Sequence, residues 1–255
     1  MKTDILIIGA GPAGIFTALE LIRKGYKGHI TLVEKGQSVE KRHCPKAETG
    51  RCMNCKPYCH ITTGFSGAGA FSDGKLSLSH EVGGDLPTLV GAGLAQETID
   101  YADSIYLEFG ADTHIEGISD PDKVKDIRRR AIQAGLKLVD CPIRHLGTEK
   151  AQKLYHDIQN WLEKAGVEMH FNAECENIII EDNECHGVLV REGGEGLRAR
   201  YLCVCDGVVI QVKCTFGKIY IRSYIAGADR SGAAFYADVT AVPTMVKFLC
   251  VRQSS

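Results

Sequence analysis

The hydrophobic and polar positions of the first 35 residues predict a strand, a helix and a second strand. Asp4–Ile8 is a short apolar run bounded by glycine, which is typical of a buried parallel strand. Residues 15–24 carry apolar side chains at helical spacing, and Gly25 ends that pattern. His29–Glu34 predicts a second strand that ends in a carboxylate. This order of elements favours an α/β fold.

A glycine motif joins the first strand to the helix. Residues 9–14 read G-A-G-P-A-G, a G-x-G-x-x-G, and Glu34 follows 20 residues later. In that context Gly9 permits a tight turn, Gly11 lets a pyrophosphate approach the backbone, and Gly14 lets the helix pack on the strand. Glu34 can accept hydrogen bonds from ribose hydroxyls. We therefore predict a Rossmann-like dinucleotide-binding domain with a parallel sheet.

The same motif predicts where the phosphates bind but does not by itself identify the dinucleotide. Pro12 and Ala13 lie in the motif just before the predicted helix, whose N-terminus supplies free N–H groups and a partial positive charge that favour phosphate. The N-terminal position of the motif and a Glu at position 34 favour FAD over NAD. Lys35, just after that acid, is ambiguous evidence for NADP.

Four of the chain's 11 cysteines lie close together, with the spacing C-x7-C-x2-C-x3-C. One hypothesis is a zinc site or an iron–sulfur cluster, since four thiolates suit either. A second is a redox pair formed by Cys52 and Cys55. A third is a set of small, half-buried residues in an irregular loop. The four are Cys44, Cys52, Cys55 and Cys59.

A glycine-rich run follows the cysteines. Residues 64–75 read G-F-S-G-A-G-A-F-S-D-G-K, and so many glycines weaken helices and strands alike. Such a run is either backbone that a ligand approaches closely or a plain loop. Bare N–H groups from Ser66 to Gly69 can bind a phosphate or a flavin carbonyl. Arg42 is predicted to reach the diphosphate or to be one of several exposed bases.

The run C-P-K-A-E-T-G-R-C-M-N-C-K-P-Y-C-H-I-T-T-G-F-S-G-A-G-A-F-S-D-G-K-L resembles a family of uncharacterised FAD-dependent dehydrogenases. This family belongs to the glutathione-reductase-like flavoprotein superfamily. Residues 141–148, C-P-I-R-H-L-G-T, resemble the same family, and the likeness covers about residues 1 to 200. It implies FAD as the cofactor and a glycine-rich segment against the flavin, with cofactor contacts from Ser66, Gly67, Ala68, Gly69, Asp73 and Gly74.

Two side chains are candidates for chemistry beside the flavin. Lys75 can place a positive charge near the N1–C2=O edge and stabilise the anionic reduced flavin, with Asp73 orienting it. The alternative for both is a solvated turn. His145, just before a helix that Thr148 caps, can contact substrate or act as an acid or base, or be a capping or core histidine. By position in the superfamily, the backbone of Cys175 or its neighbour bonds the adenine.

The later chain predicts helices at residues 94–109, 121–134 and 149–164, followed by a β-rich region. Leu136–Val139 is predicted as a short strand. We predict a dinucleotide-binding domain over 1–145 with the Cys-rich insertion, an α+β segment over 146–204, and an atypical tail over 205–255. The tail departs from the family, so we expect a truncated or frameshifted chain, in which Asp229 faintly matches a ribityl-binding acid.

Net charge and the N-terminal sequence limit the classes of partner and the location that we expect for the protein. The net charge of −2 gives no reason to expect nucleic acid or an anionic membrane. The N-terminal apolar run is too short for a signal peptide, so we expect a cytoplasmic protein without a disulfide framework.

The function that these patterns favour is an FAD-dependent oxidoreductase, with NAD(P)H as a candidate reductant. Its substrate and its electron donor stay open. One alternative is a non-redox enzyme of the same fold that binds NAD, such as the thiazole-forming enzymes. Another is an inactive fragment or an electron-transfer module with a Cys-bound cluster.

Overall fold

Two separate stretches of the chain form the first of two structural units. The computed structural model describes residues 2–72, 74–181, 184–190, 196–204, 209–215 and 218–224. Among the described residues, the first unit contains the chain up to Ala68 and again from Tyr155, and the second contains Gly69–Leu154. Within these residues, the chain leaves the first unit and then returns to it.

The first unit contains most of the strands. Its N-terminal part consists of β1 (Lys2–Ile8), α1 (Pro12–Arg23), β2 (Ile30–Glu34), a 3-10 turn (Val39–Lys41) and α2 (Lys46–Thr49). The second unit contains a 3-10 turn (Gly69–Phe71), β3 (Lys75–Ser77), α3 (Leu86–Val90), α4 (Ala92–Glu108), α5 (Pro121–Gln133) and β4 (Ile143–His145). The helix α6 (Thr148–Lys164) contains the division between the units. After it come β5 (Glu168–Phe171), β6 (Cys175–Glu181), β7 (Glu184–Val190), β8 (Gly196–Val204), β9 (Val209–Thr215) and β10 (Lys218–Tyr224).

Within the described residues, the strands of the first unit form one eight-stranded sheet. Its centre is parallel: β1 lies between β2 and β8, and β2 pairs on its other side with β5. The remaining strands, β6, β7, β9 and β10, pair antiparallel. This mixed α/β architecture with a parallel centre confirms the predicted fold class.

The core of the first unit lies on both sides of β1. Leu6 and Ile7 are fully buried, which explains why this strand is apolar without alternation. On one side, Leu6 joins a cluster with Val33 of β2 and Val188 of β7. The helix α1 contributes Ile15, Ala18 and Leu19, all fully buried. Burying this surface against the sheet stabilises the helix far more than its intrinsic propensity does.

The second unit has a smaller apolar core than the first, and it contains the buried ion pair of Arg144 with Asp103. Its two-stranded sheet pairs β3 with β4 antiparallel. From α4, Ala95, Ile105 and Tyr106 are buried, whereas no residue of α5 is. At the N-terminus of α5, Asp120 accepts a hydrogen bond from the N–H of Lys123, and within the helix Arg128 donates to the carboxylate of Asp140.

The predicted helices and most predicted strands are present, with two differences. The predicted strand at Leu136–Val139 is wrong, since these residues have no regular structure and the strand of this region is β4. Leu136 is 65% exposed, so its alternating pattern lacks the buried face that a strand needs. Strands β9 and β10 lie in the predicted tail, while Asp229 falls outside the described residues. Among the described helices, none is both long and apolar enough to cross a bilayer.

Candidate functional site

The turn between β1 and α1 has the geometry that its glycines predict. Gly9 has φ +93°, a conformation that strains any residue with a Cβ. A Cβ at Gly14 would lie 1.9 Å from the carbonyl oxygen of Gly9, so the helix can approach the strand only with glycine there. The N–H of Gly9 donates to the carbonyl of Val33 at 2.8 Å, which fixes the start of the turn to β2.

The N-terminus of α1 is open. Gly11 is the N-cap, no described side chain caps the helix, and its first turn contains no acidic residue. Pro12 occupies the first helical position, where the missing N–H costs nothing. A Cβ at Gly11 would meet no atom within 4 Å. The turn therefore leaves open space next to the backbone of Gly11. The N–H groups at this end of the helix, such as that of Ala13, have no intrahelical partners and can bind an anion there.

Glu34 is buried at the end of β2, with 6% of its surface exposed. One carboxylate oxygen accepts the N–H of Ala10 at 2.8 Å, and the other accepts the N–H of Gly36 at 2.8 Å. A carboxylate has about four acceptor positions, so each oxygen keeps capacity for a further donor. The carboxylate thus joins the glycine turn to the end of β2 and can still accept hydroxyl groups of a ribose.

A cavity of about 290 Å³ begins directly after Glu34. One side is formed by Lys35, Gly36 and Gln37, which follow β2. The Nζ of Lys35 lies 5.5 Å from the centroid of the Tyr58 ring, which also lines the cavity. The remaining lining residues are Arg42, Lys56, Pro57, Cys59, His60, Thr63, Asn172 and Glu174.

Arg42 is buried and binds the loop that follows the cysteines. Its Nε donates to the carbonyl of His60 at 2.8 Å, and its Nη1 donates to the carbonyl of Phe65 at 2.6 Å. Its Nη2 donates to the carbonyl of Ile61. Burial lowers the pKa of Arg42 to about 10, while the nearby charge of Glu34 acts in the opposite direction. The guanidinium therefore stays protonated at neutral pH, and it donates to these backbone carbonyls and, at 3.4 Å, to the hydroxyl of Ser66.

The glycine-rich run is partly bonded to its own unit. The N–H of Ser66 donates to the carbonyl of Ala10 at 2.7 Å, and the N–H of Gly67 donates to that of Gly64 at 2.8 Å. The expectation of bare N–H groups is therefore wrong at Ser66 and Gly67. Both have positive φ, +73° and +58°. Ser66 is fully buried, so this segment fixes the β1–α1 turn from outside.

The other predicted contacts of the run are divided between the units. Ala68 is exposed at the end of the run in the first unit, and Gly69 begins the 3-10 turn of the second. Gly74 has φ +61°, and a Cβ there would lie 2.9 Å from the Cβ of Leu146. Asp73 lies outside the described residues.

The two candidates for chemistry, Lys75 and His145, are direct partners in the second unit. They face each other across the β3–β4 ladder, and both are exposed. Residues directly opposite in an antiparallel pair have Cβ atoms about 5 Å apart. A cationic side chain and an imidazole are therefore neighbours, although 70 positions separate them in the sequence.

Arg144, next to His145, has a structural partner that the sequence did not indicate. Its Nε and Nη2 both lie 2.6 Å from the carboxylate oxygens of Asp103, and its Nη1 bonds the carbonyl of Asp112. The hydrogen bond to Asp103 raises the pKa of Arg144 above its ordinary value. Only 3% of the Arg144 side chain is exposed, so this bidentate pair fixes β4 to α4. Forty-one positions separate the two residues, and no local pattern links them.

The four clustered cysteines are free thiols with different exposure. Cys44 and Cys55 are partly buried, whereas Cys52 and Cys59 are exposed. In the described part of the chain, no group of three or more His, Cys, Asp or Glu side chains is placed to hold a metal ion. The structure therefore does not assemble the predicted metal site. The N–H groups of Ile61 and Thr62 donate to the Cys59 thiol and lower its pKa.

Cys175, the predicted adenine contact, begins β6 and is partly buried. Its backbone pairs in register with Val190 of β7. Asn172 and Glu174, a few residues earlier, line the cavity after Glu34. The turn before β6 is therefore part of the cavity wall, and the backbone contact to adenine stays a prediction.

Comparison with protein families and curated proteins gives two matches. Residues 2–53 match the family model described as FAD binding domain. An uncharacterised protein of Clostridium beijerinckii (strain ATCC 51743 / NCIMB 8052) is 25% identical over 238 residues, which are 92% of this chain and 35% of that protein. The chain thus spans about a third of the length of this relative.

Three of the similar solved structures are a ketosteroid dehydrogenase, a glycine oxidase and an L-amino acid deaminase. The 3-ketosteroid-Δ4-(5α)-dehydrogenase of Rhodococcus jostii RHA1 has a TM-score of 0.48 and 13% identity, over 80% of this chain and 45% of its own. Glycine oxidase from Geobacillus kaustophilus has a TM-score of 0.47 and 14% identity, over 81% and 55%. L-amino acid deaminase from Proteus vulgaris has a TM-score of 0.46 and 16% identity, over 81% and 48%. At these values the similarities assign no activity to this chain.

Proposed function

We propose that this chain carries the FAD site of an FAD-dependent oxidoreductase. The observation that carries the proposal is the buried Glu34 carboxylate, bonded to the glycine turn beside the open N-terminus of α1. This arrangement lies within the segment that matches the FAD binding domain family model. The narrower assignment to the glutathione-reductase-like dehydrogenases is supported by the resemblance of residues 44–76 to that family.

The residues of the first unit fit the parts of the dinucleotide. Glu34 holds the ribose hydroxyls, and the N–H groups of Ala13 and Gly14 face the phosphates, where the helix dipole favours negative charge. Because Gly11 has no Cβ, the open space beside its backbone is available to the pyrophosphate. When bound, FAD supplies two-electron transfer, whereas the protein supplies binding, orientation and electrostatics.

Lys75 and His145 are the proposed groups for charge and proton transfer. The ammonium of Lys75 stabilises negative charge, and the imidazole of His145 holds or releases a proton near neutral pH. The two side chains are register partners of the β3–β4 ladder, so they can act on the same group. NAD(P)H is the proposed reductant, since its hydride suits a flavin oxidoreductase.

Titration with FAD tests the Glu34 site. We expect the protein to bind FAD, with flavin absorbance bands that bleach on addition of dithionite. Glu34→Gln should weaken FAD binding at least tenfold, because an amide N–H2 would then face a backbone N–H and one ribose acceptor is lost. The control is Glu81→Gln, on an exposed residue of the second unit, which should bind FAD as the wild type does. Calorimetry measures both; binding of NAD and not FAD would contradict the proposal in favour of the non-redox alternative.

The reduction potential tests Lys75. We expect Lys75→Met to lower the two-electron midpoint potential of the bound flavin by about 30 mV or more, because the anionic reduced form loses a stabilising charge. The control is Lys137→Met, which removes the ammonium of another exposed lysine in the same unit. Equal potentials in the two variants would remove Lys75 from the proposal.

A further inference from the structure

The Cys-rich segment forms one side of the cavity after Glu34. We call residues 56–60, with sequence K-P-Y-C-H, the outer wall, and all five line the cavity. The opposite side is Lys35–Gln37, which follows Glu34 directly along the chain. The two sides meet where the Nζ of Lys35 lies 5.5 Å from the ring of Tyr58. The outer wall thus contacts the segment that directly follows Glu34.

Arg42 holds the outer wall in place. It bonds the carbonyls of His60 and Ile61 at the end of the wall and that of Phe65 beyond it. The ring Nδ1 of His60 also lies 2.9 Å from the carbonyl of His43, next to Arg42 in the chain. The three bonds from Arg42 have a charged donor whose side chain is buried, and such hydrogen bonds are among the stronger kind.

The cavity has the size and the charge for a nucleotide fragment. Its volume of about 290 Å³ is at the lower end of ordinary small-molecule sites. Among the described residues that line it, Lys35, Arg42 and Lys56 are cationic and Glu174 is the carboxylate. The Tyr58 ring offers a surface on which a base can stack. A ribose on Glu34 would leave its base or its phosphate within reach of these groups.

We propose that the outer wall contacts the adenosine end of the dinucleotide, with Tyr58 against the base, and that Arg42 is the positioning residue for that wall. The proposal rests on the proposed dinucleotide site. It gives the Cys-rich segment a role in ligand binding that does not require a metal, and it gives Arg42 a role other than direct contact with the diphosphate.

Binding of ADP tests the contact with Tyr58, since ADP contains the adenosine end without the flavin. Tyr58→Leu should weaken ADP and FAD by the same factor, about tenfold, because a stacking surface is lost. Tyr101→Leu is the matched control, on an exposed tyrosine of α4, and should bind both ligands as the wild type does. Unchanged ADP affinity in Tyr58→Leu would overturn the contact.

Alkylation by iodoacetamide tests the position of the wall and the role of Arg42. Saturating ADP should slow modification of Cys59, on the wall, at least tenfold, and leave Cys52, which is exposed and not among the lining residues, unchanged. Arg42→Gln should abolish this protection of Cys59, with Arg42→Lys restoring part of it. A merely structural role for Arg42 would lower stability in both variants but keep the protection by ADP.

The outcomes separate this proposal from the proposed function. If FAD binds but ADP neither protects Cys59 nor responds to Tyr58→Leu, the outer wall is not a ligand contact, while the FAD site stands. If ADP protects Cys59 but FAD does not bind, the wall proposal stands in a nucleotide-binding protein that is not a flavoprotein. If neither ligand binds, both proposals fail.

Discussion

Two glycine turns of the first unit use glycine for different reasons. In the β1–α1 turn, Gly14 is required by one backbone atom, the carbonyl oxygen of Gly9, at 1.9 Å from its hypothetical Cβ. In the later turn, Gly64 has φ +123°, and its hypothetical Cβ would lie 2.6 Å from the carbonyl of Gln37 and 2.7 Å from the Cδ of Arg42. The first requirement arises within six residues of sequence, and the second arises from distant residues.

This difference explains why the sequence predicts the role of the first turn but not that of the second. A turn with local requirements leaves a recognisable spacing, and G-x-G-x-x-G is such a spacing. A turn that is constrained by a distant arginine has no spacing of its own. Its glycines therefore suggested a flexible or ligand-binding loop, whereas Ser66 in it is fully buried and bonded to Ala10.

The largest loss of stability is expected for Gly14→Ala. The added Cβ would overlap the carbonyl oxygen of Gly9, and neither backbone can move without breaking the parallel sheet. We expect a loss of about 4 kcal/mol in the free energy of unfolding, in the range of severe core substitutions. Urea titration followed by circular dichroism and by the fluorescence of Trp161, the single tryptophan, measures it.

Gly11→Ala is the matched variant in the same turn. A Cβ there meets no atom within 4 Å, so the free energy of unfolding should change by less than about 1 kcal/mol. FAD binding should nevertheless fall at least tenfold, since the methyl group occupies the proposed phosphate space. A stable Gly14→Ala protein, or an unstable Gly11→Ala protein, would contradict this division of roles.

The second largest loss of stability is expected for Gly64→Ala in the second turn. Its φ is unfavourable for alanine, and the Cβ would displace the side chain of Arg42, so we expect a loss of about 3 kcal/mol. Gly67→Ala is the control, with φ +58° and open space around its Cβ, and should cost only about 1–2 kcal/mol. Equal losses in the two variants would show that backbone conformation and not the contact with Arg42 controls this turn.

The smallest effect concerns the Cys59 thiol beside the second turn. Because the N–H groups of Ile61 and Thr62 stabilise the thiolate, its pKa is lowered and a larger fraction is thiolate at neutral pH. The rate of alkylation should therefore reach half its plateau at a lower pH than for an ordinary cysteine, and fall only as the pH drops through that lower pKa. A pH series of iodoacetamide labelling with mass spectrometry measures it; a midpoint above that of a free cysteine would refute the hydrogen bonds.

The sequence predicted the β1–α1–β2 part of the fold because this part depends on local patterns. The strand β1, the helix α1, the strand β2 and Glu34 follow one another within 35 residues, and the apolar periods and glycine spacing specify them. The helices α4, α5 and α6 were predicted within a few residues for the same reason.

The rest depends on partners that lie far apart in the chain. The pairing of Lys75 with His145 follows from the register of β3 and β4, which no pattern in either strand encodes. The pair of Arg144 with Asp103 is likewise a tertiary contact. The failed strand at Leu136–Val139 had the right alternation but no partner strand, and pairing is what stabilises a strand.

The position of β1 in the sheet has a consequence for how the protein is made. Leu6 pairs with Thr31 on one side and with Leu202 on the other, so one neighbour lies close to β1 in the chain and the other far from it. Such distant pairing gives a high contact order and slow folding. Until the ribosome has delivered β8, β1 keeps an open edge on that side, and it is in this interval that we expect the nascent chain to need a chaperone.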